Sequence, residues 1–341
     1  MKRLIPSLAF IATLAAAATA ALPVNAQEVN VYTTREPKLI QPLFDLFTKQ
    51  TGIKVNSIFI EKGMAERVAA EGANSPADIL MAVDIGNVLD SVSRGVTQSV
   101  QSEALASAIP ANLRDKDGHW FALSLRARLF YVSKDRVKDT ALTYADLADP
   151  KWKGKVCIRS GQHPYNTALI AAYINHYGPE KAEAWLKGVK ANLARKASGG
   201  DREVARDILG GICDIGVGNS YYVGLMRGGS NEDQKKWGDA INVIMPTFPG
   251  GGTHVNISGA SVAKNAPNKA NAIKLLEFLV SNEAQAAYAK VNYEYPVRPS
   301  APIDPIIAAL GQLKTDQIDL TQIAKHRKLA SELADKVGFD Q

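Results

Sequence analysis

The feature that most constrains the fold of this chain is an alternation of short apolar strands with amphipathic helices. Residues 29–32 alternate side chains with the period of two typical of a strand, whereas residues 40–47 place apolar side chains at helical spacing. The pattern continues with strand-like segments at 53–60 and 77–83 and helical segments at 63–71 and 85–94. This βαβα order predicts a mostly parallel sheet with helices on both faces.

The alternation restarts after a long strand-like passage at residues 120–133. Strand-like segments follow at 156–158 and 212–217, and helical segments at 166–177, 202–209 and 268–290. Two α/β lobes joined by extended crossings leave a cleft, and small ligands commonly bind in such clefts beyond the carboxyl ends of strands. The sequence therefore predicts an α/β fold of two lobes, each a mostly parallel sheet flanked by helices, with a ligand cleft between the lobes and two extended hinge crossings.

The first 26 residues have the three-part pattern of a secretory signal peptide. Lys2 and Arg3 give a positive start, residues 4–22 are almost wholly apolar, and small residues precede a cleavage site after Ala26. The alternative is an N-terminal membrane anchor, which the alanine-rich composition disfavours. We therefore expect removal of residues 1–26 and export to the periplasm.

The mature chain of 315 residues is too long for one small core and suits a body of two lobes. We predict that residues 27–125 and 256–341 form the first lobe, which includes the C-terminal helices, and that residues 126–255 form the second. The charges, 40 Lys and Arg against 34 Asp and Glu, are dispersed, so nucleic acid is not indicated as a partner. A mildly basic protein of this kind is either simply soluble or suited to an anionic ligand.

The chain has two cysteines, Cys157 and Cys213, each in a short strand-like run. In an oxidising compartment such a pair is more often a disulfide than a metal site. A bridge between neighbouring strands requires Cα atoms within about 7 Å of each other. We expect the bridge, and the alternative is two unpaired buried thiols.

The strand-like segment at 212–217 is followed by Ser220 and by an adjacent pair of tyrosines, Tyr221 and Tyr222. Ser220 is placed to cap the helix that follows. In a turn from strand to helix, both tyrosines can lean over the carboxyl end of the strand. The pair is therefore well placed to share one ligand.

A tyrosine pair of this kind suits a hard, highly charged cation. Phenol titrates near pH ~10, so an unassisted tyrosine is neutral. A trivalent ion such as Fe³⁺ reverses this, because its charge strips the proton and hard ions favour oxygen donors. Tyr165 follows Pro164 at another helix start, and three phenolates would match the charge of one ferric ion. A single tyrosine, by contrast, more often packs in a core or at a surface.

Five short segments in order resemble one known family. They are VYTTR at 31–35, SLRAR at 124–128, YN at 165–166, NSYY at 219–222 and GTHVNISG at 252–259. In these segments the chain resembles the periplasmic ferric-binding proteins of bacterial iron ABC transporters, two-lobed counterparts of transferrin with the type II periplasmic binding protein fold. The resemblance covers nearly all of the mature chain. It implies that Tyr165, Tyr221 and Tyr222 bind Fe³⁺ and that an inner-membrane ABC permease receives the iron.

The chain departs from many members of that family just after Arg35. Those members carry two further ligands where this chain has Glu36 and Pro37, and proline cannot ligate a metal. The departure resembles a subgroup in which three tyrosines are completed by an anion such as carbonate. Glu36 either offers a carboxylate or, as acidic residues at helix starts commonly do, stays solvated.

The resemblance also places two arginines, Arg35 and Arg126, near that anion, and a guanidinium suits carbonate because it can donate two parallel hydrogen bonds. The alternative for each arginine is a salt bridge at the surface or between the lobes. Arg128 lies on the same face of its strand as Arg126 and is a further candidate. Thr34 is a weaker candidate for a hydroxyl hydrogen bond to the anion.

Two histidines near these segments are not predicted to be ligands. Imidazole suits divalent metals better than ferric iron, so we interpret His163 as a loop-surface residue and His254 as a hinge residue. The glycine run at 250–252 lacks the Lys-Ser/Thr of a phosphate-binding loop and indicates backbone freedom at a hinge.

Taken together, the sequence predicts a monomeric periplasmic solute-binding protein that captures Fe³⁺ with an anion and turns nothing over. A binding protein for a small anion without metal is the alternative. A secreted hydrolase is a third possibility, but neither a Gly-x-Ser-x-Gly elbow nor a His-Glu-x-x-His motif occurs in the sequence.

Overall fold

A computed structural model describes residues 27–341. The predicted signal peptide, residues 1–26, lies outside the described residues. The strands are β1 Glu28–Thr33, β2 Lys54–Phe59, β3 Ile79–Ala82, β4 Thr97–Gln98, β5 Phe121–Ser133, β6 Val156–Cys157, β7 Ile215–Asn219, β8 Ile241–Ile244, β9 Val255–Ala263 and β10 Tyr295–Pro296.

The helices cover both faces of the sheet. They are α1 Pro37–Thr51, α2 Met64–Glu71, α3 Ile85–Ser93, α4 Glu103–Ala108, α5 Pro164–Tyr177, α6 Pro179–Ala191, α7 Asp201–Leu209, α8 Ser220–Gly228, α9 Glu232–Asp239, α10 Lys269–Leu279, α11 Asn282–Asn292, α12 Pro305–Ala308, α13 Leu320–Lys325 and α14 Arg327–Lys336. Within residues 27–341, no helix combines the length and apolar character needed to cross a membrane.

The strands follow the order β2-β1-β3-β9-β5-β7-β6, and β4, β8 and β10 pair at the sides of this path. The pairs β1–β2, β1–β3 and β6–β7 are parallel, as the βαβ pattern predicts. The long strands β5 and β9 run antiparallel to each other, and β9 is antiparallel to β3 as β5 is to β7. The predicted two-lobed α/β fold is therefore confirmed, but only three of the nine strand pairings in the described part of the chain are parallel, so the sheet is mixed rather than mostly parallel. The reason is that β5 and β9, the long crossing strands, pair antiparallel with all of their neighbours.

The strand β5 passes from one lobe to the other. Its first half pairs with β9 up to Ala127, and its second half pairs with β7 and β8 from Arg128 onward. All 13 residues of β5 are buried, as are all nine of β9. Two neighbouring buried strands therefore connect the lobes, and Arg126 and Arg128 lie on opposite sides of the point where β5 changes partners.

The helix α1 shows how closely sequence periodicity sets local structure. Its buried residues are those that recur at helical spacing, Ile40, Leu43, Phe44 and Phe47. Gly52 ends the helix with φ of 72°, a left-handed conformation that favours glycine, and its N–H donates to the carbonyl of Thr48.

The helical stretch predicted at 268–290 is two helices. The helix α10 ends at Leu279, and Ser281 begins α11 by accepting a hydrogen bond on Oγ from Ala284 N at 3.2 Å. The apolar periodicity runs on through the break, but the serine side chain competes with the backbone for hydrogen bonds and starts a new helix. The prediction of a single helix is therefore wrong.

The predicted disulfide is confirmed. Cys157 at the end of β6 and Cys213 just before β7 form a bridge, with Cα atoms 5.8 Å apart. The two strands are neighbours in the sheet, so the bridge fastens the strand that leads to Tyr165 to the strand that leads to Tyr221.

The last two helices pack on the second lobe. Both α13 and α14 contact α5, and α14 also contacts α6. The helix α13 additionally contacts α3 of the first lobe, next to an ion pair of 2.6 Å between Arg327 and Asp84. The division into 27–125 with 256–341 and 126–255 stays a prediction. From this packing we propose that residues 320–341 belong with the second lobe.

Candidate functional site

The three candidate tyrosines lie together at the starts of two helices. Tyr165 is the second residue of α5, which begins at Pro164, and Tyr221 is the second residue of α8. The hydroxyl oxygens of Tyr165 and Tyr221 are 3.3 Å apart. The ring centroids of Tyr221 and Tyr222 are 4.1 Å apart. Three phenol groups from two separate parts of the chain thus share one small region, as one metal ion would require.

Ser220 is not the cap of α8. Asn219 occupies the position before the helix, and Ser220 is its first residue. The Ser220 hydroxyl is buried and accepts a hydrogen bond from Ala127 N of the crossing strand β5 at 3.2 Å. The capping prediction was wrong because the serine instead attaches the tyrosine-bearing helix to the hinge.

Burial keeps Tyr221 and Tyr222 protonated when no cation is bound. It raises the pKa of Tyr221 well above the ordinary value, and the nearby phenols of Tyr165 and Tyr222 raise it further. The pKa of Tyr222 is also raised, again chiefly by burial. Such phenols ionise at neutral pH only when a cation of high charge binds to them.

Tyr165 is surrounded by three arginines. The guanidinium carbons of Arg126, Arg128 and Arg159 lie 5.7, 6.0 and 5.3 Å from its ring centroid. In all three, Nε is buried and has no hydrogen-bond partner among the described residues. Arg159 was not singled out from the sequence, although it lies only six residues before Tyr165. The guanidinium groups therefore surround the phenol ring from three sides and leave three N–H donors beside it.

Arg126 uses its two terminal nitrogens within the protein. Nη2 donates to the carbonyl oxygens of Val83 and Ile257, the latter at 2.8 Å, and Nη1 donates to Ser258 Oγ at 3.2 Å. The bidentate face expected to hold an anion is therefore occupied in this structure. Nε has no partner within residues 27–341, and Nη1 uses one of its two N–H groups, so these are the donors left for a ligand.

Arg35 is buried at the hinge beside Arg126, the other arginine that donates to Ser258 Oγ. Its Nη2 donates to Glu294 Oε1 at 2.7 Å and to Ser258 Oγ at 2.5 Å. Thr34 Oγ1 accepts a hydrogen bond from Val83 N at 3.0 Å. Thr34 also lines a cavity of about 270 Å³ together with Pro164 of the second lobe. Arg35 and Arg126 share Ser258 and Glu294, so Arg35 belongs to the hinge side of the site.

Glu36 is a surface residue at the start of α1. Its side chain is 58% exposed, and Oε2 lies 3.3 Å from Lys38 Nζ. Of the two roles considered from the sequence, the geometry matches the solvated one.

Two buried carboxylates complete the site, and neither was found from the sequence. Asp201, the first residue of α7, accepts from Arg128 Nη1 at 2.5 Å and from Arg159 Nη1 at 3.3 Å. Glu294 accepts from Arg35, and its other oxygen accepts from the Ser124 hydroxyl. Burial raises the pKa of Glu294, but the charges of Arg35 and Arg126 outweigh it, so the pKa lies below its usual range. Glu294 is therefore ionised.

The two histidines have structural positions. His163 Nδ1 accepts a hydrogen bond from Tyr165 N at 3.2 Å and so caps α5, which differs from the loop-surface role expected of it. Burial, helped by Arg159, lowers the pKa of His163 to about 4. His254 is buried just before β9, where burial and Arg128 lower its pKa to about 3. Both imidazoles are neutral at physiological pH.

Comparison with known proteins gives related proteins over nearly the whole length of the chain. Residues 74–310 match a family described as bacterial extracellular solute-binding protein. The chain is 40% identical over 322 residues to iron uptake protein A1 of Synechocystis sp., an alignment that covers 93% of this chain and 89% of that protein.

Solved structures agree with this match. The Bordetella ferric binding protein is 65% identical, with a TM-score of 0.89 over 92% of this chain and 100% of that one. A Trichodesmium protein solved in complex with iron and citrate ligands is 42% identical, with a TM-score of 0.87 over 92% of this chain and 99% of that one. The family match spans more than half of the sequence, and the relatives are binding proteins of uptake systems rather than enzymes. The chain belongs to the bacterial extracellular solute-binding protein family.

Proposed function

We propose that this protein binds Fe³⁺ through the phenolates of Tyr165, Tyr221 and Tyr222, together with an anion, and delivers the iron to an ABC permease. The observation that carries the proposal is the distance of 3.3 Å between the hydroxyl oxygens of Tyr165 and Tyr221, with Tyr222 packed on Tyr221. Relatives named for ferric-iron binding and iron uptake support it.

The chemistry follows from the charges. A ferric ion displaces the three phenol protons, and the three resulting phenolates cancel its charge. The hard oxygen donors suit Fe³⁺ better than Fe²⁺. Reduction of the iron, or protonation of a phenolate, therefore weakens the site and provides a route to release.

An anion is proposed for the coordination positions that the tyrosines leave open. Carbonate is our first candidate, since its size and planar shape suit guanidinium partners, and Arg126 with its unpartnered Nε is our first candidate donor. Arg35 acts on the same anion through Glu294. Arg128 and Thr34 are weaker candidates, and Glu36 is not proposed as a ligand because its side chain is 58% exposed.

Transport requires the two lobes to close. We propose that iron and anion draw the lobes together about β5 and β9, and that the closed surface is what the permease recognises. We further propose that the protein is a periplasmic monomer whose signal peptide has been removed, and the disulfide and the family assignment support the location outside the cytoplasm. The alternative, capture of a small anion without metal, is not favoured because the relatives with the higher identities are named for iron.

The test is an absorbance spectrum. Ferric salt added with bicarbonate to the purified protein should produce a visible phenolate-to-iron charge-transfer band. Tyr221→Phe and Tyr222→Phe should each remove much of the band. Tyr177→Phe, at the far end of α5 from Tyr165, is the matched control and should leave it unchanged. A colourless wild-type protein would contradict the iron proposal.

A further inference from the structure

A buried carboxylate on the hinge side of the site is shared by two arginines. Glu294 Oε1 lies 2.7 Å from Arg35 Nη2 and 3.9 Å from Arg126 Nη1. The side chains of these three residues are 0%, 7% and 1% exposed. Water therefore screens neither the attraction within this group nor its effect on a neighbouring charge.

A second carboxylate repeats the arrangement on the other lobe. Asp201 lies 2.5 Å from Arg128 Nη1 and 3.3 Å from Arg159 Nη1, and its side chain is fully buried. Arg128 is 2% exposed and Arg159 is 14% exposed. The two groups meet at Tyr165. Its ring is within about 6 Å of the guanidinium carbons of Arg126, Arg128 and Arg159.

The buried positive charges of the two groups outnumber the buried negative charges. Four arginines face two carboxylates, which leaves two positive charges without an internal partner among the described residues. Arg202, 5.6 Å from the Tyr222 ring, forms no ion pair with Glu294 or Asp201 and belongs to neither group. Asp84, a further buried carboxylate near the hinge, is paired with Arg327 at 2.6 Å, so that pair adds no net charge. Uncompensated buried charges are costly, and the unpartnered Nε groups of three of these arginines are donors without an acceptor. An anion would satisfy both deficits.

We propose that Glu294 and Asp201 determine the charge of the anion that this site prefers, because they leave a surplus of two positive charges that a dianion neutralises. Glu294 is therefore a specificity-determining residue. Three phenolates and one ferric ion cancel each other, so the requirement is the same with or without iron. The inference rests on the proposed function only in placing the anion beside the metal. It assigns the site to small dianionic carboxylates and to carbonate.

Changes at Glu294 and Arg35 test the rule in both directions. Glu294→Gln keeps the shape of the side chain and raises the surplus to three positive charges, whereas Arg35→Gln lowers it to one. The double variant returns it to two. If Glu294 had only a structural role, its substitution would weaken the binding of all anions by the same factor. If it sets the charge, the substitution changes the order of the anion affinities.

The experiment is calorimetric titration of the iron-free proteins with acetate, oxalate and citrate, at a pH where every carboxyl group is ionised. Each dissociation constant is divided by that of the wild type, so that differences in anion size cancel. Glu294→Gln should favour citrate over oxalate by about tenfold or more relative to the wild type, the order of one added charge interaction in a buried site. Arg35→Gln should shift the preference toward acetate, and the double variant should regain the wild-type order.

Glu283→Gln is the matched control. This exposed glutamate on α11 accepts a hydrogen bond only from Gln50 at the surface, and its change should leave all three ratios near one. If Glu294→Gln does not fold, Arg35→Gln and the double variant carry the test, because neither has more uncompensated positive charges than the wild type. Equal ratios for all anions in every variant, a double variant that keeps a shifted order, or a wild type that binds none of the anions would overturn the proposal. A wild type without the ferric absorbance band would overturn the iron function alone.

Discussion

Tyr165 is the tyrosine that joins the two halves of the candidate site. It is the member of the trio on α5, it touches Tyr221 on α8, and three arginines surround its ring. We predict that Tyr165→Phe lowers ferric affinity at least about tenfold, because the ion loses one negative ligand in a poorly screened site. Competition with a coloured chelator measures the affinity. Tyr177→Phe is the control on the same helix, and equal affinities in both variants would exclude Tyr165 as a ligand.

His254 gives a prediction about pH. Its folded pKa is about 3, below the ordinary value of 6.5, so the unfolded chain binds a proton that the folded chain refuses. Stability due to this group is present above pH 6.5 and declines as the pH falls toward 3. We expect the wild type to lose about 2 kcal/mol more than His254→Gln between pH 7 and pH 5.

Urea unfolding of both proteins at the two pH values measures this difference. His326→Gln is the control, because that histidine is only partly buried at the end of α13. If the free energy of unfolding fell equally with pH in the wild type and in His254→Gln, His254 would take up its proton in the folded protein as it does in the unfolded chain.

Some residues of the site can be recognised from the neighbouring sequence, whereas others depend on partners that are distant in the chain. The tyrosines could be found from the sequence, since each follows a strand and begins a helix. Glu294 could not, because its partner Arg35 is 259 positions away and no pattern surrounds it. Asp201 likewise meets Arg128 across 73 positions. Sequence patterns report local geometry, whereas charge compensation in a buried site depends on the tertiary fold.

At the level of elements, periodicity predicted most strands and helices but not the helices α4, α6 and α9 or the short strands β4 and β8, and serine hydrogen bonds explain two further differences. The break between α10 and α11 and the role of Ser220 both depend on which group a serine hydroxyl contacts. In the first case the serine caps the helix that it begins, and in the second it bonds to a strand from a distant part of the chain. Apolar spacing carries no information on either choice.

The disulfide ties together two elements that carry the site. β6 leads to Arg159 and α5, and β7 leads to α8, so the bridge from Cys157 to Cys213 fixes the spacing of the helices that bear the tyrosines. It closes a loop across 56 positions, and its removal should cost about 2–4 kcal/mol of unfolding free energy. We predict that loss for Cys157→Ser/Cys213→Ser in denaturant titration.

Reductant provides the control for this prediction. Dithiothreitol should lower the stability of the wild type to that of the double variant and should leave the double variant unchanged. A wild type whose stability does not respond to reductant, or a double variant as stable as the oxidised wild type, would contradict a stabilising role.

For the whole molecule, the connections between lobes decide how the cleft opens. Besides β5 and β9, a third connection runs through the C-terminal helices, which pack on α5 and reach α3 of the first lobe. Arg327 Nη1 at the start of α14 lies 2.6 Å from Asp84 Oδ1, and the other oxygen of Asp84 accepts from Asn256 Nδ2 of β9 at 2.7 Å. The ion pair thus links a helix on the second lobe to both the first lobe and the hinge.

Gly86 leaves room for that ion pair. A Cβ atom at Gly86 would lie 1.2 Å from Arg327 Nη1, so any larger residue would displace the arginine. The side chain of Asp84 is only 2% exposed, which makes the contact stronger than an ordinary surface pair. If the contact stabilises the closed arrangement of the lobes, removing it should favour opening and therefore iron release.

We predict that Arg327→Ala raises the rate of iron release to a chelator about tenfold, which corresponds to about 1.4 kcal/mol lost from the closed state. Gly86→Ala should have the same effect, because it expels the arginine without removing it. Stopped-flow decay of the ferric absorbance measures the rate. Lys328→Ala is the matched control, since its neighbouring pair with Glu332 spans 3.8 Å at an 89% exposed side chain and contributes little. Release at the wild-type rate in both Arg327→Ala and Gly86→Ala would show that the lobes are held closed without the C-terminal helices, by the hinge strands and the ligand alone.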